Sequence, residues 1–207
     1  MAVIARSPTV DDLLRLGSDT RVEVVGGEIV EMTPVGGLHV LVVDNIYRVL
    51  YEPVSAHRLG YLFTDNLLYI LSEGEDGVRV ARSPDVSFIH RDHLISEWDI
   101  ERPYPGAPTL AVEVMSPDDQ FENVVQKVED YLAAGTAEVW VVLPRQKTVY
   151  RYRRSQSVVE TYRAGETMDV SELFPGLTLP LADIFRLPDL GAPQQGASSE
   201  EQSDQSA

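Results

Sequence analysis

Residues 108–144 read PTLAVEVMSPDDQFENVVQKVEDYLAAGTAEVWVVLP, and three consecutive elements are legible in them. TLAVEVM (109–115) alternates as a strand does, with successive side chains pointing to opposite faces. The alternation predicts Ala111, Glu113 and Met115 on one face and Leu110, Val112 and Val114 on the other. From Phe121 to Ala134 the apolar residues Phe121, Val125, Val128 and Leu132 recur at helical spacing. Gly135 follows where a left-handed residue would end that helix. VWVVL (139–143) is a continuous apolar run, the pattern of a central strand covered on both faces.

Working outward, Thr9 predicts the N-cap of a short helix carrying Leu13, Leu14 and Leu16. RVEVV (21–25) and EIVEM (28–32) flank Gly26-Gly27, a pair suited to the positive φ angles of a tight hairpin. From His39 to Tyr51, Val43, Ile46 and Leu50 repeat at helical spacing with Val42 and Val49 beside them; Pro53 is expected to stop this helix. GYLFTDNLLYIL (60–71) reads as a strand, Glu75-Asp76-Gly77 as a turn, and 78–89 as one or two strands around Pro84. Residues 91–108 read as loop, and KTVYRYRR (147–154) with VVETYR (158–163) as a closing hairpin. The expected fold is one α/β (α+β) domain over 1–187, a central mixed sheet flanked by helices with hairpins at both ends. The polar, acidic stretch 188–207 reads as a disordered tail.

Composition bounds the function. Hydrophobic residues make up 43% of the chain and charged residues 24%, as in a globular protein. There is no apolar run of membrane-spanning length and the N-terminus lacks a secretory pattern. Without cysteine there is no disulfide framework and no thiolate chemistry, and a cytoplasmic location is the default. The net charge of −16 opposes avid binding of a polyanion, which normally relies on Lys and Arg releasing counterions from phosphates. Asp189, Glu200, Glu201 and Asp204 contribute four of those charges, leaving −12 on residues 1–188. Screening over roughly 8 Å still permits a local basic patch. Arg145, Lys147, Arg151, Arg153 and Arg154 are the candidates, with a solvated hairpin face as the plainer alternative.

The chemistry points to Pro84-Asp85, to Glu113 and to Lys127. A glutamate in the middle of an apolar strand is expensive to desolvate unless a cation or a donor meets it. A buried ion pair with Lys127 would satisfy that need without catalysis. Pro-Asp alone is also a common turn signal. A carboxylate after Pro at a strand start, a second in mid-strand about thirty residues later, and then a helix together resemble the core of the PD-(D/E)XK nucleases. The stretch 108–144, RVEVVGGEIVEMTP (21–34), SPDVSFI (83–89) and the histidine opening the first long helix resemble the Uma-two family of restriction-endonuclease-like proteins. The likeness runs from about residue 10 to 187.

That resemblance implies a restriction-endonuclease-like fold and a metal-dependent endonuclease. Asp85, Glu113 and the backbone carbonyl of Val114 would hold Mg²⁺, or Mn²⁺, whose retained water would attack a phosphodiester, with DNA the expected substrate. Lys127 would orient the water or the phosphate. The chain departs from the short motif in one respect: two residues after Glu113, where a lysine is expected, stands Met115, so the amine would come from the helix. His39 matches the histidine at the mouth of the first long helix, and the resemblance implies a secondary catalytic role for it. By spacing alone it falls on the buried face, where a satisfied core histidine is the commoner outcome. Glu28 also matches a recurrent family position, but a cross-strand or capping role is equally open and it stays outside the predicted site. By analogy with enzymes that cut duplexes, a homodimer is expected, with weak or transient DNA binding.

Other motifs carry less. His90-x-x-His93, with Asp92 and Glu97, lacks the helix-borne HExxH arrangement of a zinc enzyme. Gly26-Gly27 and Gly36-Gly37 do not have phosphate-loop spacing, and there is no Gly-x-Ser-x-Gly. Two alternatives to a DNA endonuclease stay open at this point: a nuclease-fold module without catalysis, and a phosphodiesterase acting on RNA or a nucleotide.

Overall fold

The computed structural model describes residues 6–17, 20–64, 67–117 and 119–189. The expected tail therefore lies outside the described residues, apart from its first two positions. A six-stranded mixed sheet forms the centre, built from β3 (Gly60–Thr64), β6 (Val86–His90), β7 (Leu110–Val114), β8 (Glu138–Leu143), β9 (Thr148–Arg153) and β10 (Glu160–Arg163). Its order is β10-β9-β8-β7-β6-β3, and only β7 and β8 run parallel. The crossover between them is α3 (Phe121–Ala134), which ends at left-handed Gly135. A second sheet, in the order β2-β1-β5-β4, contains β1 (Val22–Val25), β2 (Glu28–Glu31), β4 (Tyr69–Gly74) and β5 (Gly77–Arg82). Near the C-terminus, β11 (Thr167–Asp169) and β12 (Thr178–Pro180) pair with each other, and α4 (Leu181–Ile184) follows.

The period-2 reading of β7 decides the layering. Leu110, Val112 and Val114 pack on one side against Val42, Ile46 and Leu50 of α2 (Gly37–Ala56). Ala111 packs on the other side with Val139 and Val141 of β8 against Val124, Val128 and Tyr131 of α3. Every residue of β7 is buried, as expected of a strand enclosed between helices. A smaller core joins Leu13 of α1 (Val10–Leu14) to Val22, Val24, Ile70, Val78 and Ala81 of the second sheet. Thr9 caps α1 in a reciprocal box with Asp12. The Gly26-Gly27 turn joins β1 to β2 with φ of 60° and 87°, angles that glycine adopts without strain.

Four expectations need correction. GYLFTDNLLYIL is two strands in different sheets, because β3 pairs with β6 while β4 pairs with β5. The closing hairpin is not an appendage: β9 and β10 extend the central sheet. The α2 helix runs through Pro53 to Ala56, since burial of Leu50 and Val54 on either side of the proline holds its last turn against the core. On α3 the buried stripe is Val124, Val128 and Tyr131, and Phe121 is 55% exposed.

Candidate active site

The chain passes from the second sheet to the central one through Ser83-Pro84-Asp85, between the end of β5 and the start of β6. Asp85 thus sits at the junction of the two sheets, and antiparallel pairing of β6 with β7 sets it beside the C-terminal end of β7. Its Oδ2 accepts the Val114 amide at 2.7 Å and lies 3.3 Å from His39 Nε2. Glu113 projects from β7 toward α3, where Oε2 meets Lys127 Nζ at 3.1 Å and Oε1 accepts the Tyr131 hydroxyl at 2.8 Å. Lys127 lies one turn before Tyr131 on α3, so helical spacing brings both donors to one carboxylate.

All four predicted side chains, Asp85, Glu113, Lys127 and His39, line a single cleft of about 550 Å³. The β1–β2 hairpin forms one wall and the first turn of α3 another. Asp85 is 8% exposed, Glu113 6% and His39 8%. His39 is therefore buried, as its helical position predicts, but it looks into the cleft instead of the core. Its Nδ1 makes no hydrogen bond among the described residues. Glu28 lines the same cleft from the hairpin while remaining exposed.

Glu23 is a participant that sequence reasoning missed. It is buried on β1, and its Oε1 lies 2.9 Å from Lys127 Nζ and 3.2 Å from the Ser83 amide. Its Oε2 accepts Arg82 Nη1 at 2.8 Å, and Arg82 donates from Nε and Nη2 to Asp130 of α3. One signal was available, an acid between Val22 and Val24 in a strand, the same signal that singled out Glu113.

Electrostatics follow from burial. Desolvation pushes Glu113 up to about 7, opposed by the Lys127 charge and reinforced by Asp85 and Glu23. Burial works against the Lys127 ammonium, yet Glu113 and Glu23 outweigh it and hold its pKa above the ordinary lysine range. For His39, burial likewise disfavours the cation, but the hydrogen bond and charge of Asp85, helped by Asp119, raise its pKa above the ordinary 6.5. In the metal-free protein His39 is therefore expected to titrate above 6.5 by NMR. Asp85→Asn removes the opposing charge while burial remains, so the midpoint should fall. An unchanged midpoint would show that Asp85 does not control the imidazole.

The donor set suits a hard cation. Both carboxylates present oxygen, and the Val114 carbonyl adds a neutral oxygen of the same strand end. Among the described residues no three His, Cys, Asp or Glu side chains converge as a ready-made metal group. A cation here would rest on two carboxylates, a carbonyl and water, a sparse set that Mg²⁺ tolerates because it keeps several waters. His90 and His93 form no such group: His93 Nδ1 lies 3.0 Å from Thr109 Oγ1, and the two rings are 5.9 Å apart.

Residues 10–182 match the Uma2 family, described as "Putative restriction endonuclease". The chain belongs to this family. A crystal structure of a putative nuclease from Anabaena variabilis superposes with a TM-score of 0.70 at 22% identity, covering 86% of this chain and 97% of that one. At that identity the likeness bears on the fold, which is the nuclease-like mixed sheet flanked by helices. No curated protein matches the chain. Among the described residues of this Uma2 protein, no helix is long and apolar enough to cross a membrane.

Proposed function

We propose that this Uma2 protein hydrolyses phosphodiester bonds in DNA with Mg²⁺ or Mn²⁺ held by Asp85, Glu113 and the Val114 carbonyl. One observation carries the reading: two carboxylates, Glu113 on β7 and Asp85 in the turn before β6, each more than nine-tenths buried, share a cleft with a helix-borne ammonium. Burying a carboxylate is costly without a cation, and the pKa of Glu113, raised first by desolvation and then by the Asp85 and Glu23 charges, expresses that cost.

When bound, the cation would acidify a water and offset charge on the scissile phosphate. The chain's own groups do the rest. The Val114 amide holds Asp85 through Oδ2, and the Tyr131 hydroxyl holds Glu113 through Oε1, which orients both carboxylates. Lys127 brings a positive charge into the cleft, and His39 braces Asp85 through Nε2 at 3.3 Å.

The substrate is expected to bind weakly. Glu28, Glu31 and Asp119 also line the cleft, and its cations, Arg82 and Lys127, are already paired with carboxylates. The basic segment proposed to compensate is partly consumed, because Arg151 is fully buried and Arg153 pairs with Glu160. Cutting both strands of a duplex calls for two clefts, so the proposed assembly is a homodimer. Light scattering would show it as about twice the 23.0 kDa chain mass.

Purified protein incubated with supercoiled DNA is expected to nick it with Mg²⁺ or Mn²⁺ and to be inert with EDTA, read on an agarose gel. A second reading is favoured by the Glu113–Lys127 contact at 3.1 Å, which already satisfies the buried acid: a nuclease-fold module that binds no metal. Calorimetry separates the two. Heat of Mn²⁺ binding that vanishes in Glu113→Ala supports hydrolysis, and its absence in the unaltered chain supports the second reading.

A further inference from the structure

Lys127 stands on a helix where the short nuclease motif has its lysine on the strand, two residues after the glutamate. On either element the amine hangs from a flexible four-carbon stem and has to be held at its far end, but from the helix it enters the cleft from the opposite side to β7 and needs its own holder there. Glu113 is one holder at 3.1 Å. On the reading just proposed, a cation would compete for that same carboxylate, and the hold would weaken when the lysine is needed.

We propose that Glu23 is the positioning residue that tethers Lys127 in the cleft independently of Glu113. Three contacts, and the anchorage of one of its partners, make it suited to this. Its Oε1 is 2.9 Å from Lys127 Nζ, closer than Glu113 is. The same oxygen accepts the Ser83 amide at 3.2 Å, which ties the tether to the turn that delivers Asp85. Its Oε2 is anchored by Arg82 at 2.8 Å, and Arg82 is fixed in turn on Asp130, one turn beyond Lys127 on α3. Glu23 is 4% exposed, so water does not compete for it. The relocated amine is thereby clamped between β1 and the helix that bears it, and Glu113 is free to exchange its partner.

The chain has two lysines, Lys127 and Lys147, and Lys147 is exposed on the β8–β9 turn. Protein labelled with ¹⁵N-lysine should thus show one slowly exchanging ammonium signal, from Lys127. In Glu113→Gln the Tyr131 hydroxyl claims the amide oxygen and leaves the amide NH₂ facing Lys127, so Glu23 alone can hold the amine. The signal is expected to persist in Glu113→Gln and to vanish when Glu23→Ala is added to it, because Glu113 still holds the amine in Glu23→Ala alone. Loss in Glu113→Gln, or persistence in the double variant, overturns the tether. If the double variant does not fold, Glu113→Gln decides by itself. These readouts require no cleavage, so they stand apart from the nuclease reading. In the cleavage assay Glu23→Ala should lower kcat by up to about a hundredfold with KM within about twofold, the signature of a misplaced group. An unchanged kcat would count against the tether.

Discussion

Asp85→Asn is expected to reduce metal-dependent cleavage by at least about a hundredfold while leaving the fold intact. The asymmetry comes from what Asp85 touches. Its structural duty is to accept the Val114 amide through Oδ2, and an amide oxygen in the same place still accepts that bond. Its proposed chemical duty is to present negative charge to a cation, which the amide cannot do. Binding of Mn²⁺ should fall with activity in calorimetry, and the melting temperature should stay within a few degrees. Asp85→Ala would be the poorer test. It leaves the buried Val114 N–H without a partner, at about 1–3 kcal/mol, and mixes instability with lost chemistry. Full cleavage by Asp85→Asn would remove Asp85 from the site and with it the case for a metal between the strands.

What the sequence disclosed followed from periodicity, and what it hid followed from long-range pairing. TLAVEVM could be read because a period of two assigns each side chain to a face, and β7 is covered on both. On α3 two neighbouring apolar stripes compete, and periodicity alone does not rank them. The Tyr131 stripe is the buried one, and it sets the Tyr131 hydroxyl against Glu113 on the α3-facing side of β7. The acid between Val22 and Val24 marks Glu23 as a buried charge, but its partner Arg82 lies 59 positions away, and no spacing encodes such a pair. Sheet changes were equally invisible: the apolar run 60–71 looks uniform although its two halves serve different sheets. His39 was placed on the buried face correctly, but only the fold reveals that a cleft opens there.

Arg151→Ala is expected to cost about 3–5 kcal/mol of stability, measured by urea unfolding, and to leave the cleavage rate per folded molecule unchanged. Composition invites an arginine in KTVYRYRR to face solvent, yet Arg151 shares the inward face of β9 with Val149 and is fully buried. There it forks onto Glu138 through Nε and Nη2 and reaches the Asp169 carbonyl at 2.6 Å, while Trp140 Nε1 donates to the same carboxylate at 3.0 Å. Removing the guanidinium leaves Glu138, 2% exposed, with only the more distant Arg153 Nε at 3.8 Å as a cation, which is why one truncation costs more than the pair contributes. Glu138→Gln combined with Arg151→Met removes both charges and keeps an acceptor for Trp140, so the double variant should regain most of the loss. Function is spared by geometry. Glu138 pairs with Leu110 at the opening of the parallel ladder, whereas Glu113 lies three residues further along β7, about 10 Å away and on the opposite face. A loss below about 1 kcal/mol in the single variant would mean that Glu138 relaxes to water or protonates once its partner is gone.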